Sequence, residues 1–440
     1  MSLKNILILG SGGREHALAD AYSKDKKVKM VYVAPGNQFM SFKNKKIIPL
    51  LHVPATNFKE IYNACKNYKI NLVDVAQDEP ISLGFIDLLK KEGIPCFGPS
   101  QAASEIEWNK EWSRSFMKKY NLPIPQFSIF TNEKKAIEYI THKKDQPLYI
   151  KASGLAQGKG AIFAVNKKEA IQAVLKMKEF GLAGATFLVE ECMVGEEFSL
   201  FVICDGEDYK IIGAAQDHKT VFNKGLGKNT GGMGCVFPST LVDKKIILET
   251  EKKIITPFLK GMVQEERRYS GILYVGCMIT EKGVKVVEFN SRWGDPEAEV
   301  ILPAIRTDYL KIVESVLRGE LKQLSVVLDK NTRVSVAGCA HGYPENYSKT
   351  RGKKIFGLEE KIPGIKIFGS GIDKKGDEFI VSGGRIFHVM GVGKNITEAR
   401  KRAYGAIAGM YVEDNNLHYR TDIGFKDIER EIKNREKMRI

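Results

Sequence analysis

Short apolar runs alternate with amphipathic stretches through the first hundred residues. The runs NILILG, KMVYVAPG, KIIPLL, NLVDVA and IPCFGPS, ending near residues 10, 36, 51, 76 and 100, each have strand length and are bounded by Gly, Pro or Asn. Between them, helical spacing of apolar residues covers the regions near 14–24, 57–67 and 82–92. Strands alternating with helices predict a doubly wound parallel sheet. The segment Asn121-Leu122-Pro123-Ile124-Pro125 breaks helicity and closes this unit. A smaller unit follows, with a helix near 133–142, the strand PLYIKA, a glycine loop, the strand AIFAV, a helix near 167–179 and the strand TFLVEEC. A long mixed α+β stretch reaches about residue 328. The last block opens on TRVSVAGCA and contains a helix near 396–411, where Asn395 and Glu398 have capping-box spacing. The chain therefore reads as α/β and α+β multidomain, with no internal repeat.

Bulk properties narrow the class. At 440 residues the chain is too long for one core. Hydrophobic residues at 43% and charged residues at 28% are ordinary for a globular protein. No apolar run approaches bilayer length, and Ile6 to Leu9 is too short for a signal peptide, so a cytoplasmic protein without a membrane partner is expected. The seven cysteines are scattered singly, which excludes a zinc ribbon and a disulfide framework. The net charge of +15 is spread over short lysine runs along the whole chain. A nucleic-acid face would concentrate it, whereas a solvated surface or the handling of small anions fits the dispersion.

Five segments carry candidate chemistry. In Gly10-Ser11-Gly12-Gly13-Arg14-Glu15, a dinucleotide fingerprint would need glycine where Glu15 stands. The helix-start amides remain available for one compact anion, unless the turn only reverses the chain. KASGLAQGKGA, residues 151–161, departs from the Walker A spacing and joins two predicted strands. Such a hairpin either closes its amides over a triphosphate, with Lys151 and Lys159 supplying charge, or is an ordinary mobile hairpin. Glu190-Glu191 end a strand at a turn that could present backbone to an adenine edge, with Glu196 or Glu197 for ribose hydroxyls. In VKVVEFNSRWGDPEAE, residues 284–299, an extended 286–292 puts Glu288, Asn290 and Arg292 on one face. Glu and Asn are hard oxygen ligands suited to Mg²⁺, and Arg292 can grip a phosphate or carboxylate. Asp217, His218 and Lys219 precede Asn229-Thr230-Gly231-Gly232-Met233-Gly234, a glycine-rich stretch that suggests backbone lying against a ligand. His218 is either an acid/base group or a positioning group, and His16 reads as a packing residue.

Together GSGGREHAL, VAPGN, FGPS, IKASGLAQGKG, VEECMVGEE, QDHK, NTGGMG and EFNSRWGDPE, with the later GYP and SGGR, resemble the phosphoribosylamine–glycine ligase family over essentially the whole chain. The resemblance implies an ATP-grasp fold: an N-terminal doubly wound domain over 1–120, a mobile lid over 121–191, a central domain over 192–328 and a small C-terminal domain over 329–440. It implies ATP between lid and central domain, and ligation of glycine to phosphoribosylamine through glycyl phosphate. Lys110, Lys151 and Lys159 would contact ATP phosphates, with Gly158 and Gly160 in the closing hairpin. Glu190, Glu191 and Met193 would frame adenine, Glu197 ribose, and Glu288 with Asn290 would hold Mg²⁺ or Mn²⁺. Arg292, Lys151 and Asp217 would be catalytic. Asp217, Lys219, Asn229, Thr230, Gly231, Gly232, Arg292, Gly294 and Asp295 would shape the glycine and amine sites. Gly12, Gly13 and Arg14 would take the sugar 5′-phosphate.

Four departures from the family pattern matter, one being that the segment between Lys219 and Asn229 lacks the family's aspartates. Ala76-Gln77-Asp78-Glu79 replaces a Gly-Pro-Glu-Ala segment, so either Asp78 reaches the ribose or Glu79 shifts inward. Trp108-Asn109-Lys110 replaces Gly-Ser-Lys but keeps the lysine. Glu299 replaces a glutamine and is expected near the metal region. The expected partners are small molecules, not nucleic acid, for a monomer or dimer. Another ATP-grasp carboxylate–amine ligase and a basic nucleic-acid-binding protein are the competing readings.

Overall fold

The apolar runs of the first hundred residues form a five-stranded parallel sheet in the order β3-β2-β1-β4-β5. Its elements are β1 (Lys4–Gly10), α1 (Gly13–Ser23), β2 (Val28–Pro35), β3 (Ile47–Pro49), α2 (Phe58–Asn67), β4 (Leu72–Val75), α3 (Asp78–Ser82), α4 (Phe85–Lys91) and β5 (Cys96–Phe97). The computed structural model describes residues 3–42, 44–156, 160–359 and 362–437. Alternation along β1 explains why both faces are apolar. Ile6 and Ile8 join a cluster with Leu18 and Val31, while Leu7 and Leu9 join another with Ile61 and Val73. The helix expected near 82–92 is α4, and the short α3 precedes it, set off by Gly84 at φ 77°. Two further helices follow, α5 (Gln101–Trp108) and α6 (Lys110–Lys119), each N-capped by a side chain, from Ser100 and Asn109.

The next sheet is antiparallel, in the order β6-β9-β7-β8: β6 (Phe127–Phe130), β7 (Leu148–Ala152), β8 (Ala161–Ala164) and β9 (Phe187–Glu191). Helices Glu133–His142 and Lys167–Lys176 pack their alanine and isoleucine stripes on it. The hairpin of residues 151–161 connects antiparallel neighbours β7 and β8. Gly158 and Lys159 lie outside the described residues.

A large antiparallel sheet carries the rest. Its strands include β10 (Glu196–Asp205) and β11 (Tyr209–Asp217), and beside it the small hairpin β12 (Thr220–Phe222)–β13 (Leu226–Asn229). Then come β14 (Gly234–Phe237), β15 (Ser270–Thr280), β16 (Gly283–Asn290) and β17 (Thr332–Ala340). The order runs β16-β15-β10-β11-β14-β17 and continues through Arg385–Gly393 to Ile365–Gly369. Strands on either side of residue 328 thus belong to one sheet, joined where β14 pairs with β17. Helix Ile396–Ile407 covers its C-terminal part. Asn395 accepts the Glu398 amide at 2.9 Å, but the return bond from Glu398 goes to the Lys394 amide at 2.8 Å rather than to Asn395. Among the described residues no helix is long and apolar enough to cross a membrane.

Candidate active site

The antiparallel sheet of β6–β9, the edge of the large sheet around β16, and the loops after β1 and β4 enclose a cavity of about 610 Å³. On one wall Lys151 leaves β7 and Glu190 leaves β9, one strand over. Glu190 is buried, and its carboxylate takes Arg114 Nε at 2.5 Å, Arg114 Nη2 at 3.0 Å and Lys151 Nζ at 2.6 Å. Burial opposes its ionisation, yet Lys151 and Arg114 prevail and hold the carboxyl down to about 2. The lone pairs of the Glu190 side chain are thus engaged in positioning Lys151 and α6, although Glu190 lines the cavity. Glu191 and Met193 line the cavity beyond it. Lys110 also lines it, with the start of α6 tied to the 151–161 segment by its amide bond to the Ser153 carbonyl at 2.9 Å.

Opposite stands β16. A bulge at Val287 shifts its register against β15, and Glu288 and Asn290 point into the cavity. The strand ends at Asn290, so Arg292 projects from the following turn and pairs with Glu107 at 2.9 Å. Glu288 makes no side-chain hydrogen bond or ion pair among the described residues. Burial would raise its carboxyl, but Lys219, Lys151, Lys110 and Arg292 hold it below the ordinary carboxylate value. A free carboxylate beside an amide oxygen in a cationic field fits a hard divalent ion such as Mg²⁺.

Asp217 ends β11 and also lines the cavity. Its Oδ1 is buried without a hydrogen-bond partner, and burial together with Glu297 pushes the carboxyl well above the usual range. Lys219 lines the same wall and pairs with Glu197 at 3.2 Å. Thr230 folds back onto the Lys219 carbonyl through both its amide and its hydroxyl, each at 2.8 Å, which holds Asn229 and Gly231 at the cavity edge. Gly232 is not on the cavity wall. At φ +112°, a Cβ there would meet Pro296 at 2.3 Å and Asp217 at 2.8 Å, so this glycine permits close packing behind the loop. His218 is likewise off the wall, and burial lowers it to about 4, so it stays neutral in the interior. His16 packs edge-on to Phe39 and Phe368 and accepts the Gly369 amide at 2.9 Å.

The first loop differs from its expectation. Glu15 occupies the third position of α1 and reaches back to the Gly12 amide at 2.6 Å, while Arg14 Nε binds its other oxygen at 2.6 Å. The helix start is thus already neutralised by an internal carboxylate, and the Gly12 amide is not free for a phosphate. Gly13 faces away from the cavity, toward Glu299 and His388. Gly12 and Arg14 do line the cavity, as do Gly294 and Asp295. Asp78, not Glu79, faces inward from the start of α3, and Glu79 is exposed. Burial opposes ionisation of Asp78, but Arg292 and Arg14 hold its carboxyl low. Glu299 is fully buried beside Asp295 and His388, behind the first loop and not beside Glu288.

Among the described residues the cavity wall carries ten carboxylates against seven basic side chains, a formal excess of negative charge in a chain whose net charge is +15. A polyanionic ligand would need accompanying cations to enter such a site. Family models for phosphoribosylglycinamide synthetase match in three consecutive pieces: the N domain over residues 4–107, the ATP-grasp (A) domain over 108–298 and the C domain over 333–426. A phosphoribosylamine–glycine ligase of Halalkalibacterium halodurans is 37% identical, over 96% of this chain and 97% of its own. The chain belongs to the phosphoribosylglycinamide synthetase family. A human trifunctional purine biosynthetic protein adenosine-3 is 36% identical over 96% of this chain, which spans 42% of that protein. The crystal structure of a phosphoribosylamine–glycine ligase from Thermotoga maritima superposes with a TM-score of 0.82 at 29% identity, covering 95% of this chain and 100% of that one. A biotin carboxylase domain from Hydrogenobacter thermophilus shares the fold at a TM-score of 0.71, 16% identity and coverage of 98% and 99%.

Within this family frame, several cavity residues escaped the sequence reading. Glu107, Arg114, Glu297 and Arg385 all line the wall. Arg385 sits in the SGGR segment, a motif that carried the resemblance without a role. Arg114 sits on an ordinary amphipathic helix, where nothing local distinguishes it.

Proposed function

We propose that this cavity joins glycine to 5-phosphoribosylamine at the expense of ATP, giving glycinamide ribonucleotide, ADP and phosphate. The observation that carries the reading is the convergence on one cavity of Lys110, Lys151, Glu288, Asn290 and Arg292 with the Asn229–Gly231 loop, in a chain of this family. A carboxylate cannot acylate an amine directly, because oxide is not a leaving group. A carboxylate oxygen of glycine attacks the γ-phosphorus of ATP, the bond to the β-phosphate oxygen breaks, and ADP departs. The amine of phosphoribosylamine then attacks the carbonyl of glycyl phosphate, phosphate leaves, and the nitrogen gives up a proton. Asp217, which lines the cavity with its Oδ1 free of hydrogen-bond partners among the described residues, is assigned as the acceptor, a role that its ionised form fills.

Lys110, Lys151 and Arg292 supply fixed positive charge for the transferring phosphoryl group, in a site where preorganised charge acts strongly. Glu288 and Asn290 would hold Mg²⁺ or Mn²⁺, whose chemistry is to neutralise phosphate oxygens. Glu191, Met193 and Glu197 are assigned to the nucleoside, Lys219, Asn229, Thr230, Gly231, Gly294 and Asp295 to glycine and the amine. Arg14 and Asp78 are assigned to the sugar phosphate. The lid of residues 121–191 is assigned to shield the acyl phosphate from water. The enzyme is proposed to act in the cytoplasm, as a monomer or dimer, on small molecules only.

The test is ADP formation by the purified chain with ATP and Mg²⁺. ADP should accumulate only when glycine and phosphoribosylamine are both present. Turnover with a different acid, and none with glycine, would replace the substrate assignment.

A further inference from the structure

Behind the first loop, three chemically matched side chains converge. Asp295 and Glu299 come from the turn and short helix after β16, and His388 from the middle of strand Arg385–Gly393. One ligand atom from each lies within 4.8 Å of the others. His388 Nε2 stands 3.5 Å from Asp295 Oδ1 and 3.7 Å from Glu299 Oε1. Both separations exceed an N–H···O hydrogen bond, roughly 2.7–3.2 Å. The edges of a tetrahedron around an ion bonded at roughly 2.0–2.2 Å run to about 3.3–3.6 Å; the first separation falls in that range and the second lies just beyond it.

The groups are also unsatisfied. Glu299 and His388 have side chains with 0% exposure, and both Glu299 oxygens and both His388 nitrogens lack a hydrogen-bond partner among the described residues. Buried polar atoms are ordinarily paired, so four orphans on two adjoining side chains call for a missing partner. Asp295 Oδ1 has no hydrogen-bond partner among the described residues but is ion-paired with Arg385 Nη1 at 2.9 Å, a nitrogen that also donates to the carbonyls of Gly231 and Asp295. The first loop closes over the cluster because it is glycine. A Cβ on Gly13 would lie 2.4 Å from Glu299 Oε1 and 2.8 Å from His388 Cδ2.

We propose that Asp295, Glu299 and His388 bind a divalent transition-metal ion of the zinc class, at a site separate from Glu288 and Asn290. One imidazole and two carboxylates suit Zn²⁺, Mn²⁺ or Fe²⁺, whereas Mg²⁺ prefers oxygen donors and its own waters. Glu299 is a departure from the family pattern, so the site belongs to this chain's own residues. The ion clamps the turn after β16 to strand Arg385–Gly393 under the first loop, at the border of the cavity that Asp295 lines. The site stands independently of the ligase reading.

The probe is Zn²⁺ or Co²⁺ added to the full chain, followed by dialysis against excess Mg²⁺ to fill hard oxygen sites. About one ion per chain should remain by elemental analysis, and the Co²⁺ form should show visible d–d absorption of a low-coordinate site. X-ray absorption at the zinc edge should report nitrogen and oxygen donors and no sulfur. Glu299→Gln and His388→Asn, checked for fold by circular dichroism, should weaken Zn²⁺ by at least roughly 100-fold, the upper range for losing even an outer-shell partner. Glu288→Gln should retain the ion. Failure of the unmodified chain to hold Zn²⁺ or Co²⁺, sulfur in the zinc shell, or equal retention by both ligand variants would overturn the proposal. A Glu299–His388 pair that merely shares a proton falls under the first of these outcomes.

Discussion

Two groups of buried charge border the same cavity and are built on opposite plans. Glu190, Arg114 and Lys151 satisfy one another through three contacts of 2.5, 2.6 and 3.0 Å, with Arg114 also donating to the Val287 carbonyl at 2.8 Å. Asp217, Glu299 and His388 keep buried atoms without hydrogen-bond partners among the described residues. The first plan completes itself when the chain folds and fixes Lys151 where a phosphate would meet it. The second leaves desolvated groups unpaired, a cost that folding tolerates where ligands complete the set. Glu288 resembles the second group in having no partner, but its lysine field keeps it ionised. Buried charge thus separates here into scaffold and reception, and the distinction lies in pairing, not in burial.

Breaking the paired group should have the largest effect. Arg114→Ala leaves Glu190 buried against Lys151 alone and should cost about 3–5 kcal/mol in urea unfolding. A loss under about 1 kcal/mol would mean that the triad is not structural. Next, Glu288→Gln should lower ADP formation roughly 10²–10³-fold, the scale of removing one preorganised electrostatic group, with little change in unfolding.

Acid should act third. His16 and His218 sit at about 4 when folded, below the ordinary 6.5, so the unfolded chain binds more protons between those values. Stability should therefore fall as pH drops from about 6.5 to about 4, by about 1–3 kcal/mol per histidine. His16→Asn, which can still accept the Gly369 amide, should flatten part of that slope. Asp74 has the opposite sign: burial raises it to about 7 despite the Tyr22 hydroxyl, so its contribution is lost as pH rises from about 4 to about 7. Fourth, Asp217→Asn should leave stability within about 1 kcal/mol, or raise it, while ligation falls. Smallest of all, Lys228→Ala at the exposed Lys228–Glu345 pair should change stability by at most about 0.5 kcal/mol.

The parallel sheet was legible because β4, β5 and most of β1 are buried on both faces and so read as unbroken apolar runs. The large sheet was less so. The β14–β17 pairing joins residues about a hundred positions apart, and nothing local announces it. In the site, alternation along β16 placed Glu288 and Asn290 on one face, but could not show that the strand ends before Arg292. Glu190 looked like a ligand contact because its partner Arg114 is 76 residues away. The Gly12 amide is different, since Glu15 at the third helical position is a local capping signal that was open to reading. Glu299 was expected beside Glu288 because both fall in one motif, but the turn beyond β16 and the short helix after it carry it behind the first loop, beside Asp295 and His388.

The central claim is that this cavity activates a carboxylate by phosphorylating it. The direct measurement supplies glycine labelled with ¹⁸O in its carboxylate, together with ATP and phosphoribosylamine, and follows the isotope in the released phosphate. One ¹⁸O per phosphate should appear, because the oxygen that attacks the γ-phosphorus leaves with it. Phosphate carrying no oxygen from glycine, formed while glycinamide ribonucleotide accumulates, would contradict the account.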